Sequence, residues 1–249
     1  MIVTPKKLHD RLNDTLIIDT REWHEYVHEH IPNAINLDLF AFHFYDTSKD
    51  GIEIFNKVMT KLLSSVGVSY DKFIVLYDNI SGITASRGLW ILHYFSHENC
   101  AILDGGIEEW KKLYETESKL NIPKPSEFKP RINKSVLATL DDVLSKDYIL
   151  IDARSKEEYD GKIVRAARGG HIPNAINIEW KENINGNIFK DKSELKKIYN
   201  IDKKIICYCQ GGYRAAHTYI ALKMLSKDAK VYLGSWYEYG NRLDLPIEI

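Results

Sequence analysis

The sequence predicts an α/β protein built as two like domains, each a parallel sheet with helices on both faces. Three observations lead there: an internal duplication, short apolar runs alternating with amphipathic stretches, and a proline-rich segment between the two copies.

The duplication is direct. Leu16-Ile17-Ile18-Asp19-Thr20-Arg21 returns as Ile149-Leu150-Ile151-Asp152-Ala153-Arg154, and His30-Ile31-Pro32-Asn33-Ala34-Ile35-Asn36 returns unchanged as residues 171–177. Leu76-Tyr77-Asp78 matches Cys207-Tyr208-Cys209, and Leu103-Asp104-Gly105-Gly106 matches Tyr232-Leu233-Gly234-Ser235. The offsets are 133, 141, 131 and 129 residues, so the order is kept while loop lengths differ. A period this long exceeds the roughly 20–50 residues of a solenoid unit, so each copy is a whole domain. The domains are expected at 1–114 and 136–249. Residues 115–135, with Pro123, Pro125 and Pro130, read as an extended linker that cannot hold a helix.

Within each copy, runs such as Leu16–Ile18, Phe73–Tyr77, Ile149–Ile151 and Ile205–Tyr208 are apolar without alternation, as in strands buried on both faces. Between them, Ile54–Val66 places Val58, Leu62 and Val66 on one helical stripe, and Tyr213–Leu225 does so with Tyr219, Leu222 and Leu225. Strand–helix alternation implies a parallel sheet, with reactive groups in loops at the carboxyl ends of its strands.

The composition narrows the chemistry. A net charge of −1, with bases and acids interspersed, supplies no field for polyanions and argues against a nucleic-acid partner. No apolar run approaches the roughly 20 residues that span a bilayer, and the charged N-terminus has no apolar stretch behind it. Cys100, Cys207 and Cys209 are an odd number in a chain this size and make no disulfide framework, which fits a reducing, cytoplasmic setting. A lone Cys-x-Cys pair cannot close a zinc site.

What remains is a working thiol, and one place suits it. The strand 204–208 ends at Cys209, and Gln210-Gly211-Gly212-Tyr213-Arg214 leads into a helix. Adjacent glycines let successive N–H groups turn inward, the helix start adds positive potential, and Arg214 adds a full charge; together they favour a thiolate or another anion. Cys207 and Cys100 read as core.

These residues resemble the rhodanese family. Cys209–Arg214, the later Gly234-Ser235-Trp236-Tyr237-Glu238-Tyr239, and the two His-Ile-Pro-Asn-Ala segments match a tandem rhodanese in order, with Asp104-Gly105-Gly106-Ile107-Glu108-Glu109-Trp110 as the counterpart in an inactive half. The resemblance implies two domains, each with a five-stranded parallel sheet. It also implies sulfur transfer from thiosulfate through a Cys209 persulfide to cyanide or a thiol, without metal or organic cofactor. The first domain carries Asp78 at the cysteine position and is expected to be catalytically silent. The phosphatase branch of the fold has five residues between cysteine and arginine; here there are four.

The resemblance further implies that Gln210, Gly211, Gly212 and Tyr213 line the donor site. Arg168, in an eight-residue insertion that also holds Arg165, and Arg87, behind the first copy's loop, are its expected cationic contacts. Asp152 and Arg154, His30 and His171 are expected to be structural. The sequence departs from the mercaptopyruvate enzymes at Gly211, where they carry serine, and at Glu158, where they carry arginine. Mercaptopyruvate as donor, or delivery of the sulfur to an acceptor protein, remain the other readings.

Overall fold

The structure is a computed structural model that describes residues 1–145 and 147–249. The chain divides into two units, one of residues 1–43, 54–133 and 185–189, the other of residues 44–53, 134–184 and 190–249.

The first unit contains β1 (Ile2–Val3), α1 (Pro5–His9), β2 (Thr15–Asp19), α2 (Trp23–His28), β3 (Ile35–Asn36), most of α3 (Lys49–Ser65), β4 (Phe73–Tyr77), α4 (Ile83–Tyr94), β5 (Cys100–Leu103) and α5 (Gly106–Lys111). Its sheet runs β1-β5-β4-β2-β3, every pair parallel. Both faces are covered, and β4 shows why its residues do not alternate with polar ones. Val75 and Tyr77 enter a core with Leu8, Tyr26, Ile107 and Trp110, while Ile74 and Leu76 are buried on the other side. On α3 the buried stripe is Phe55, Met59 and Leu63, with Val66 just beyond the helix. Of the expected stripe, Val66 is buried, while Val58 and Leu62 lie half-buried at its flank, one residue from Met59 and Leu63.

The second unit repeats the plan with β6 (Leu137–Ala138), α6 (Leu140–Leu144), β7 (Ile149–Asp152), α7 (Lys156–Tyr159) and β8 (Ile176–Asn177). A short hairpin follows in the chain, β9 (Ile184–Asn185) and β10 (Ile188–Phe189), and all of it but Ile184 is counted with the first unit. Then come α8 (Lys192–Ile198), β11 (Ile205–Tyr208), α9 (Tyr213–Met224), β12 (Ala229–Tyr232) and α10 (Ser235–Tyr239). The sheet order is β6-β12-β11-β7-β8, again all parallel. In each sheet the middle strand, β4 or β11, ends one residue before Asp78 or Cys209.

Of the expected linker, residues 115–133 form no helix and pack with the first unit, while Lys134 and Ser135 open a short 3₁₀ turn, Lys134–Val136, beyond the last proline. His30 and Glu117 exchange backbone hydrogen bonds of 2.8 Å in both directions. His171 and Glu248 make the same bridge in the second unit, so the duplicated architecture runs past residue 114. Both histidines also stack on a tyrosine and bond its carbonyl: His30 on Tyr26 and His171 on Tyr159.

Candidate active site

Cys209 stands at the carboxyl end of β11 and is 1% exposed. Its Sγ accepts a 3.1 Å hydrogen bond from the Gly212 N–H, at the start of α9. Gly212 makes this possible with a left-handed φ of 88°, which a side chain would disfavour. Gly211, expected to share in the curl, is not left-handed, so one glycine does the turning. The loop is held from behind by α10. The N–H groups of Trp236 and Tyr237 donate to the carbonyls of Cys209 and Gln210, each at 2.9 Å, and the Cys209 N–H donates to Ser235 Oγ at 3.3 Å.

Arg214 lies in the first turn of α9, and its guanidinium grips one carboxylate. Nη1 and Nη2 donate to the two oxygens of Glu158 at 2.6 and 3.0 Å. Burial alone would pull the Arg214 pKa down, but the Glu158 bonds and the nearby Cys209 sulfur more than offset it and hold it above its ordinary value. Burial would push Glu158 up; Arg214 outweighs it and keeps the carboxyl below the usual range. Glu158 also closes a capping box with Ser155 at the start of α7, and Arg165 Nε lies 3.3 Å from its Oε1. Beneath, Arg154 and Asp152 form a buried bidentate pair that repeats Arg21 and Asp19.

Residues 209–214 form the loop and the first turn of α9, and the other arginines have surroundings of their own. Arg168 is turned to the C-terminal segment, donating to the carbonyls of Leu245 at 2.8 Å, Gly240 at 3.4 Å and Arg242. It is Arg165 that adjoins the loop, its carbonyl accepting from Gln210 Nε2 at 2.9 Å and its side chain 60% exposed. Arg87 lies buried on α4 of the first unit, its guanidinium 4.7 Å from the Trp90 ring centre and close to His43. Ser235 and the Glu158 clamp were not singled out as site residues. The Ser155-x-x-Glu158 spacing is a capping signature and could have pointed to the latter.

Asp78 explains the other copy. Its Oδ1 accepts from the N–H groups of Ile80 and Gly82 at 3.0 and 2.8 Å; its Oδ2 accepts from Thr84 N, Thr84 Oγ1 and Ala85 N at 2.8, 2.9 and 3.1 Å. Although the paired glycines are missing, Ser81 and Gly82 are both left-handed and an anion cradle forms. Its anion is the protein's own carboxylate.

The other two thiols are buried away from any such loop. Burial pushes the Cys100 thiol up to about 12 and raises that of Cys207, where the neighbouring Cys209 adds to the effect.

Comparison with known proteins agrees with this geometry. The rhodanese-like domain family matches twice, at residues 4–113 and 134–242. The thiosulfate sulfurtransferase of Corynebacterium glutamicum is 32% identical over 243 residues, covering 88% of this chain and 79% of its own. The 3-mercaptopyruvate sulfurtransferase of Escherichia coli K12 is 30% identical over 239 residues, covering 90% and 85%. The crystal structure of SseA from Escherichia coli, a 3-mercaptopyruvate sulfurtransferase, overlays with a TM-score of 0.80 at 28% identity, covering 94% of this chain and 98% of that one. With two matched domains and the cysteine loop intact in the second, the chain belongs to the rhodanese family as a tandem-domain sulfurtransferase.

Proposed function

We propose that the chain moves sulfane sulfur from thiosulfate to a thiophilic acceptor through a persulfide on Cys209. The observation that carries this is the setting of Sγ: one thiol of three meets a backbone N–H at the start of a helix whose first turn carries Arg214. The Cys209 thiolate attacks the outer sulfur of thiosulfate. The S–S bond of the donor breaks with its electron pair leaving on sulfite, and the enzyme retains Cys–S–S⁻. Charge is conserved, since a monoanion and a dianion enter and the same pair leaves. Cyanide or a thiolate then attacks the outer sulfur and restores the Cys209 thiolate.

The Gly212 N–H and Arg214 stabilise the sulfur anion where it forms. Arg165, exposed and joined to Glu158 by one long contact, supplies the charge that draws the donor's sulfonate, in place of Arg168.

The choice of thiosulfate over mercaptopyruvate rests on Gly211. Mercaptopyruvate leaves as an enolate that needs a proton, and Gly211 offers none, a deficit of roughly 10²–10⁴ in rate. Repulsion of the donor carboxylate by Glu158 is a weaker reason, because Arg214 already balances that charge. The 30% identical mercaptopyruvate relative supports the second reading. Steady-state kinetics with each donor and cyanide tests the choice. The expected result is a higher kcat/KM for thiosulfate; a clear preference for mercaptopyruvate would reverse the donor assignment and leave Cys209 in place.

A further inference from the structure

We propose that Glu158 is a positioning residue for sulfur transfer, acting through Arg214. The inference rests on the Cys209 reading and adds to it a residue that never touches the sulfur. Three observations converge on it.

Glu158 is buried, 3% exposed, yet charged, and its two oxygens are committed to Ser155 N, both Arg214 terminal nitrogens and Arg165. A buried carboxylate with this many donors has one orientation. Arg214, by contrast, carries its charge on a long stem whose side chain is 22% exposed, and a free guanidinium there would sample many rotamers. The two-point grip fixes its plane before any sulfur arrives, which is what electrostatic stabilisation of a new anion requires.

The second copy of the site supplies an independent control. Glu25 holds the place on α2 that Glu158 holds on α7, six residues after the aspartate that ends the strand and directly before a tyrosine, and it too reaches the loop of its own domain, accepting from Asn79 Nδ2. Counted from the glycines that cap the two helices, Gly82 and Gly212, the second residue of α9 is Arg214 and that of α4 is Thr84, so no arginine stands there. The glutamate therefore points at the loop because of where the short helix places it, not because an arginine pulls it in. The hold precedes the cation.

A double-mutant cycle tests this, read by thiosulfate–cyanide turnover and by single-turnover persulfide formation. Glu158→Gln keeps the shape and the cap acceptor but loses the ionic grip, so kcat should fall roughly 10-fold with KM within about 3-fold. Arg214→Gln should cost roughly 100-fold. The double variant should be no slower than Arg214→Gln alone, because the glutamate has lost its object. Independent, multiplying losses would overturn the proposal, as would a Glu158→Gln enzyme with wild-type kcat. Should Glu158→Gln fail to fold, Arg214→Lys reads the hold from the other side. It keeps the charge and loses the fork, so kcat should again drop roughly 10-fold, and wild-type kcat would refute the idea. Mass analysis of the wild-type protein after thiosulfate separates the two failures: without added sulfur on Cys209 the functional reading falls, and with it any negative cycle counts against Glu158 alone.

Discussion

Replacing Asp78 by asparagine is the sharpest test of how the two halves differ. Asparagine keeps the shape of the carboxylate but turns one of its two acceptors into a donor. Whichever way the amide faces, its NH₂ meets two backbone donors: Ile80 N and Gly82 N on one side, Thr84 N and Ala85 N on the other. Thr84 Oγ1 can turn to Thr20 Oγ1, 2.8 Å away, but the amides cannot turn. Two stranded buried N–H groups cost about 1–3 kcal/mol each, and the surviving bonds lose their charge assistance, so about 3–5 kcal/mol is expected. For a chain of this size that lowers the thermal midpoint by roughly 6–20 °C. Thiosulfate–cyanide turnover, measured well below the transition, should stay within about 3-fold of wild type, since the Cys209 loop is untouched. Calorimetry and steady-state kinetics on one preparation give both numbers. A midpoint within about 2 °C of wild type would refute the internal-anion account, and loss of turnover as deep as in Cys209→Ser would place Asp78 in the chemistry.

Arg168→Ala should weaken the anchoring of residues 240–245 by about 1–3 kcal/mol while leaving the thiosulfate KM unmoved; a tenfold higher KM would return it to donor binding. Arg165→Ala should do the reverse, raising KM with little change in thermal midpoint, and an unchanged KM would remove it from the donor site. With iodoacetamide at pH 8 the folded protein should be alkylated first at Cys209, because a thiol pushed up to about 12 by burial, as at Cys100, is almost wholly protonated there. Equal labelling of Cys100 or Cys207 before unfolding would contradict the burial argument.

The features legible in the sequence are the local ones. Four apolar runs without polar alternation became the strands β2, β4, β7 and β11, because strands buried on both faces leave that trace. The Cys209 loop was legible because strand, glycine turn and helix start are consecutive. The partners of its charges were not. Arg168 and Arg165 are three residues apart in one insertion, and only the packing of the C-terminal segment decides which of them turns away. Glu158 is visible in the sequence only as a departure from arginine, because its partner lies 56 positions along the chain. The first copy's cradle was hidden by the absence of paired glycines, since Ser81 takes a left-handed conformation that sequence gives little reason to expect. The stripe of α3 slipped by one residue because apolar residues crowd positions 54–66, and both 58/62 and 55/59/63 satisfy a helical period.

The claim on which the rest depends is that sulfur resides on Cys209. Intact mass and peptide mapping after brief exposure to thiosulfate, without reductant, read it directly. The expected result is an added mass of about 32 Da, one sulfur atom, on the peptide bearing Cys209, removed by cyanide with formation of thiocyanate and absent from Cys209→Ser. Sulfur found on Cys207 or Cys100, or persisting in the serine variant, would contradict the account.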